Sequence, residues 1–290
     1  MSDQIERREN LSNEEFMKEY VYANRPVIVT DALRQWKAVG RWTPEFFKGE
    51  FADMNLALNK VAWSKENGGA DLTMARFVDT VLAFTDENPA PYLRNQNLCE
   101  LVPSLMQNAS PMPGYCSPNW LPESYSVKSL QRVFHEHSEI QFCFGGTGGA
   151  FPVLHYDVLT SHAYLFQIYG RKKFIVFSPD QEPYLYLRPR NFSQVVEKPD
   201  LDKFPLFKKA KATTCVLEPG EFVFVPIQWW HTAKILTPCI TLSLNVVNDS
   251  NWKPLTEWVC SGRETILRLP SRLYLNAVGS PRDQRVRRSA

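Results

Sequence analysis

From Ile140 to Val246 the chain reads as a series of short β-prone runs, broken repeatedly by Gly and Pro. The runs are Ile140–Phe144, Pro152–Tyr156, Ala163–Tyr169, Lys172–Phe177, Thr213–Leu217, Glu221–Val225, His231–Leu236 and Cys239–Val246. Each is the length of a strand and rich in β-branched or aromatic residues, with turn formers on either side. Eight short strands in an antiparallel rhythm close naturally into a jelly roll. The expected fold class is therefore mostly β with flanking helices, around a double-stranded β-helix core.

The rest of the chain reads differently. Residues 12–23 open with Ser12 as N-cap and Glu15 closing a capping box, a helix start. Val27–Val29 is a short β-run, Thr43 and Pro44 begin a second helix, and Leu72–Phe84 has apolar residues at helical spacing. Asn55–Trp63 alternates like a strand, Tyr92–Arg94 is extended, and residues 126–137 return to a helical pattern. Five prolines between residues 100 and 124 make an irregular crossing. This gives an N-terminal helical and mixed portion over 1–134, packed on a core over 135–250. Residues 180–212 form a polar, proline-punctuated insert, and 251–290 a helical segment with a basic tail.

Composition bounds the function classes. With 44% hydrophobic and 22% charged residues, the chain has the balance of a folded globular protein. A net charge of +2 argues against a nucleic-acid coat protein, and no apolar run approaches the ~18–20 residues of a membrane span. The N-terminus lacks the apolar stretch of a signal peptide. Six cysteines without C-x-x-C spacing read as free thiols in a reducing compartment, so the expected location is the cytoplasm, or the nucleus in a eukaryote.

The chemistry concentrates at HYD (155–157) and PIQWWH (226–231). On a strand His155 and Asp157 point to one face, and a second strand-like run leads into His231. Two imidazoles and one carboxylate make the facial triad that holds Fe(II) and leaves coordination positions open. A zinc site would use the same residues, and a histidine on an apolar strand is also a common hydrogen-bonded core residue. His135 and His137, near a predicted helix end, read as exposed polar residues. The paired Trp229 and Trp230 read as barrel walls that fix His231.

At these residues the sequence resembles the cupin-like JmjC hydroxylases, which are Fe(II)/2-oxoglutarate oxygenases. The matching segments are HYD, FQIYGRKKFIVFSP (166–179), PDLDKFPLFKKA (199–210), LEPGEFVFVPIQWWH (217–231) and ITLSLN (240–245), with RPVIVTDAL (25–33) toward the N-terminus. The resemblance implies iron on His155, Asp157 and His231, with 2-oxoglutarate and O2 as co-substrates. It implies Lys172 as the cation for the distal carboxylate of 2-oxoglutarate; a solvated turn shared with Arg171 and Lys173 is the other reading of that lysine. Tyr92 and Asn245 are the remaining expected co-substrate contacts, although Tyr92 reads equally as a packed aromatic and Asn245 as a strand end. Arg94 would face the substrate, and His162 reads either as a substrate contact or as a hydrogen-bonded residue behind the metal ligands. Pro152 and Ala163 depart from the family pattern, standing where relatives carry Thr or Ser and Asn; an extra residue after Asp157 leaves His162 as an alternative occupant of the second position.

The expected activity is hydroxylation of an amino-acid side chain in a protein or peptide. Hydroxylation of a modified tRNA nucleoside is the alternative suggested by YLYL (184–187) and the 199–210 segment, which resemble the wybutosine-hydroxylase branch. A small-molecule hydroxylase and a non-catalytic cupin binding module complete the alternatives; histone demethylation is the less expected outcome, because the sequence offers no reader domain or zinc module beside the barrel. The helices after Asn251 are candidates for a homodimer interface, or for packing on the protein's own barrel.

Overall fold

A computed structural model of the protein describes residues 3–56, 72–88, 92–97, 102–121, 140–149, 154–186 and 196–260. Its organising strand is β6 (His162–Tyr169), whose alternating side chains serve two separate interiors. Ala163 and Leu165 face one apolar cluster, while Tyr164, Phe166 and Ile168 face another.

Strands β1 (Asp3–Gln4), β2 (Glu6–Arg8), β3 (Val27–Val29), β4 (Tyr92–Asn97) and β5 (Gln141–Gly145) precede β6 in the chain. After it come β7 (Lys172–Phe177), β8 (Thr213–Leu217), β9 (Phe222–Val225), β10 (Trp230–Ile235) and β11 (Cys239–Val246). Among the described residues they form a seven-stranded sheet in the order β2-β3-β9-β6-β11-β5-β4 and a four-stranded sheet in the order β1-β8-β7-β10. The pairs β1–β8 and β2–β3 are parallel and the others antiparallel. The expected strands at 172–177, 213–217 and 239–246 carry the bounds read from the sequence. The run at Pro152–Tyr156 does not become a described strand: residues 151–153 lie outside the described residues, and His155 makes a single bridge to His231.

The two sheets face each other across an interior lined by Phe174, Val176, Cys215 and Leu217 on one side and Ala163, Leu165, Val223 and Val225 on the other. This is the jelly-roll core. The outer face of the larger sheet is covered by the N-terminal helices, and this second core is strongly aromatic. Phe47 lies 5.2 Å from Phe142, Phe77 5.3 Å from Phe144, and Trp36 5.2 Å from Phe166, ring centre to ring centre. Thr43 caps the helix Pro44–Glu50, Thr73 caps Met74–Ala83, and Ser12 with Glu15 forms the expected capping box. That first helix is α-helical over Asn13–Phe16 and then widens to a π-helix over Met17–Val21.

The outer face of the smaller sheet is also covered. Ile175 and Phe177 pack with Leu185 and Phe207, flanked by Val196, Leu201, Phe204 and Trp230. The described part of the 180–212 insert is thus a small apolar layer built on 3-10 turns. Its polar, proline-rich sequence concealed this, because 3-10 turns impose no long period on the apolar positions. Asn55 bridges to Thr73, while the remainder of the expected 55–63 strand, the 126–137 helix with His135 and His137, Pro152, and the chain beyond Cys260 fall outside the described residues wholly or in large part. Cys116, Cys143, Cys215 and Cys239 are free and buried. Burial pushes the Cys116 and Cys215 thiols up to about 12.

Candidate metal centre

Antiparallel pairing of β7 with β10 sets His231 opposite Val176 and Ile235 opposite Lys172. Val176 and Lys172 are four residues apart, so His231 and Lys172 project from the same inner face of the smaller sheet. His155 is joined to His231 by two backbone hydrogen bonds, His155 N to His231 O at 3.1 Å and His231 N to His155 O at 2.7 Å. The two imidazoles therefore lie side by side, 4.3 Å between ring centres.

Asp157 completes the group. Its Oδ1 is 3.6 Å from His155 Nε2 and 3.6 Å from His231 Nε2, and the three donor atoms all lie within 4.8 Å of one another. Those separations are too long for hydrogen bonds but suit three ligands converging on one ion, each about 2.0–2.2 Å from it. The orientations of His231 and Asp157 fit the same reading. His231 Nδ1 lies 3.0 Å from the carbonyl of Trp229, so it carries the proton and Nε2 keeps its lone pair for the metal. Asp157 Oδ2 accepts from Asn245 Nδ2 at 3.1 Å, which turns Oδ1 toward the imidazoles. Asn245 Nδ2 also donates to Ser161 Oγ at 2.5 Å. Asn245, expected as a co-substrate contact, is in this structure a holder of the carboxylate.

Lys172 is 2% exposed, so the ammonium is inside the barrel. Its neighbours Arg171 and Lys173 are the surface residues of that turn, bonded to Glu218 and Glu197. Lys172 Nζ donates to Thr241 Oγ1 at 3.2 Å and lies 5.7 Å from the centre of the Phe174 ring. The hydroxyl of Thr241 donates onward to Gln167 Oε1 at 3.0 Å. Gln167 Nε2 is committed to the carbonyls of Tyr169 and Gly170, each at 2.8 Å, which fixes the direction of the whole chain of bonds. Gln167 and Thr241 were not picked out as site residues from sequence. The signal was present in their parity: each is a polar residue at an inward-facing position of its strand.

Of the two readings of His162, the structure shows the hydrogen bonds and not a face toward the interior. This residue stands at the start of β6 on the face opposite Ala163, its ring 5.2 Å from that of Phe224, and it is 1% exposed. Its Nδ1 accepts from Ile227 N at 3.3 Å and its Nε2 is 2.9 Å from Ser250 Oγ. A substrate cannot reach it. Ala163, not His162, faces the interior beside Asn245, its partner in the β6–β11 register. Tyr92 and Arg94 lie on β4, at the edge of the larger sheet, with Tyr92 opposite Gly145 and a register slip between Leu93 and Gln96. Their side chains lie outside the described residues. Trp229 donates its Nε1 to Asn24 O at 2.9 Å, and Trp230 packs 4.7 Å from Tyr156, so both are wall residues.

Comparison with known proteins agrees with this geometry. The chain is 28% identical over 243 residues to lysine-specific demethylase 8 of Xenopus tropicalis, a match covering 80% of this chain and 50% of that protein. It is 24% identical over 275 residues to the 2-oxoglutarate and iron-dependent oxygenase JMJD4 of Homo sapiens, covering 87% and 64%. Over a shorter stretch of 102 residues it is 39% identical to tRNA wybutosine-synthesizing protein 5 of Gallus gallus, covering 35% and 30%. The chain spans about half the length of the first of these relatives. The profile of the cupin-like domain matches residues 12–255, a range that takes in both sheets and the whole triad, and the chain belongs to that family.

Proposed function

We propose that the protein is an Fe(II)- and 2-oxoglutarate-dependent oxygenase acting on an amino-acid side chain of a protein or peptide. The observation that carries the reading is one interior holding two imidazoles and a carboxylate oxygen in convergence, with a buried lysine farther along the same face. When bound in such a triad, Fe(II) supplies the activation of O2 that couples decarboxylation of the 2-oxo acid to hydroxylation of a C–H bond.

The chain's own residues supply binding and orientation. The rise from Lys172 to Val176 is about 13 Å at strand spacing, and the lysine and imidazole side chains enter that interval from its two ends. A five-carbon dicarboxylate fits between them, its distal carboxylate on Lys172 Nζ. Thr241 and Gln167 aim the ammonium, Asn245 and Ser161 aim Asp157, and the apolar walls Leu165, Phe174 and Val176 keep bulk water from the interval. Hydroxylation of a side-chain carbon leaves a stable alcohol. At an N-methyl group the same step gives a hemiaminal that releases formaldehyde, so one centre serves both hydroxylase and demethylase outcomes.

The test is metal-dependent conversion of 2-oxoglutarate to succinate by purified protein, with His155→Ala and Asp157→Ala as controls. Both variants are expected to lose turnover and retain the fold, since the barrel core is apolar. Turnover at the wild-type rate in either variant refutes the triad. A wild-type protein that binds 2-oxoglutarate but never turns it over supports a binding module instead.

A modified tRNA nucleoside is the second reading. It is favoured by the 39% identity to tRNA wybutosine-synthesizing protein 5. Exposed Lys203, Lys208, Lys209 and Lys211 add to it, because they precede β8 at the end of the smaller sheet where Thr213 pairs with Val176 and Val176 with His231. Phosphate contacts make affinity fall steeply with salt, with a slope of about 0.7–0.9 per contact. A shallow slope for total tRNA, with weak binding throughout, excludes this substrate.

A further inference from the structure

The triad rests on two short irregular segments, and both adopt backbone conformations that non-glycine residues avoid. After Asp157 the chain turns through Leu159 at φ 58° and Thr160 at φ 48° before entering β6. Before His231 it turns through Gln228 at φ 62°. Left-handed backbone at three side-chain-bearing residues persists only where the surroundings hold it.

What holds both turns is one cluster at the head of the helix Trp252–Cys260. Asn251 is fully buried. Its Nδ2 donates to Thr160 O at 3.0 Å and to Val246 O at 3.1 Å, and its Oδ1 accepts from Asn248 N at 2.8 Å. The left-handed turn behind Asp157 is thereby tied to the end of β11, one residue past Asn245. Asn248 Oδ1 accepts from Ser250 N at 3.0 Å and from Ser250 Oγ at 2.7 Å. Because His162 Nδ1 accepts from Ile227 N, the ring proton is on Nε2 and is donated to Ser250 Oγ. Ile227 belongs to the loop that leads into His231. Burial pulls the His162 imidazole down to about 3, so it stays neutral and keeps this tautomer through the ordinary pH range.

We infer that Asn248, Ser250 and Asn251, with His162, form a positioning latch that holds the Asp157 turn and the loop before His231 in one frame, and so sets metal affinity without touching the metal. This rests on the reading of His155, Asp157 and His231 as a metal site. It also gives the helix Trp252–Cys260 a mechanical link to that site, because its first turn grows out of the latch.

The experiment is calorimetric titration of metal-free protein with Co(II) alone, with the visible Co(II) spectrum recorded at saturation. Ser250→Ala and Asn251→Asp are expected to weaken Co(II) binding about 10–100-fold, the range for residues that orient ligands, and to change the spectrum. Ser250→Thr keeps the hydroxyl and is expected to restore both. Thr43→Ala, which removes a helix cap on the far side of the larger sheet, is expected to lower the thermal midpoint and leave Co(II) affinity alone. Wild-type affinity in folded Ser250→Ala overturns the inference, and so does an equal loss in Thr43→Ala at matched stability. If Asn251→Asp fails to fold, Ser250→Ala decides. Absence of Co(II) binding by the wild type would refute the metal reading itself, a result distinct from the others.

Discussion

Thr241 offers a sharp test of how the co-substrate is anchored. Thr241→Val keeps the side-chain shape and deletes the hydroxyl that stands between Lys172 Nζ and Gln167 Oε1. Thr241 and Gln167 are both 0% exposed, so no water replaces the lost group. Leaving one buried acceptor unsatisfied and one ammonium donor misdirected costs about 1–3 kcal/mol, or roughly one to two decades of 2-oxoglutarate affinity. Lys172→Met removes the charge itself, and by analogy with broken buried ion pairs costs about 3–5 kcal/mol, some two to three and a half decades. The informative measurement is the double variant. If Thr241 acts only by aiming Lys172, then Thr241→Val costs nothing further once Lys172 is Met, and the coupling equals the whole single-variant effect. The assay is equilibrium binding of 2-oxoglutarate to Co(II)-loaded protein by calorimetry, which separates binding from turnover. Additive losses would refute the aiming role. Near-normal affinity in Lys172→Met would show that another cation, such as Arg94, anchors the acid.

Three further outcomes follow from geometry already described. Asn245→Ala frees Asp157 Oδ2 from its donor, and is expected to weaken Co(II) binding about 10–100-fold in titrations where Lys172→Met leaves it unchanged. His162 is held neutral with its value lowered to about 3. The unfolded chain takes up a proton near 6.5 and the folded one does not, so stability falls as pH drops below 6.5, by up to about 1.4 kcal/mol per unit; urea unfolding at stepped pH should show that slope and its loss in His162→Asn. Gly170, at φ 67°, begins the turn into β7, and a Cβ there would collide with the carbonyl of Pro238. Gly170→Ala is expected to lower the denaturant midpoint markedly, since the left-handed penalty of about 1–2 kcal/mol adds to that collision, and an unchanged midpoint would contradict the turn.

What the sequence made legible follows from which signals are local. The runs at 172–177, 213–217 and 239–246 could be bounded because alternation and flanking turn residues are properties of neighbouring positions. Ser12–Glu15 and Thr43–Pro44 were visible for the same reason. His155, Asp157 and His231 stood out because a metal demands a small choice of residue types and because the segments around them resemble one family, and the structure brings the three donors together. The cover built by Leu185, Leu201, Phe204 and Phe207 was hidden, since 3-10 turns leave no long apolar period. His162 stayed ambiguous between two roles because one step of strand parity decides whether it faces the interior or the opposite side. The bond of Asn251 to Thr160 was illegible for another reason: it joins residues far apart in the chain, and asparagine after a strand ordinarily signals only a turn.

The two-sided use of β6 has a bearing on how this chain can be divided. Tyr164 and Phe166 on β6, with Phe222 and Phe224 on β9, Ile240, Leu242 and Leu244 on β11 and Phe142 and Phe144 on β5, form one apolar surface whose counterpart is Phe16, Trp36, Trp42, Phe47 and Phe77 from the first eighty residues. A fragment beginning at residue 135 would keep His155, Asp157 and His231, yet it would present that surface to water. Exposed apolar area of this kind drives self-association, so such a fragment should precipitate or form oligomers although all three donor residues remain in it. The two sheets and the N-terminal helices are therefore one unit of solubility, and a change such as Phe47→Ser should be felt first as aggregation and only afterwards as a loosening of the His155–Asp157–His231 group.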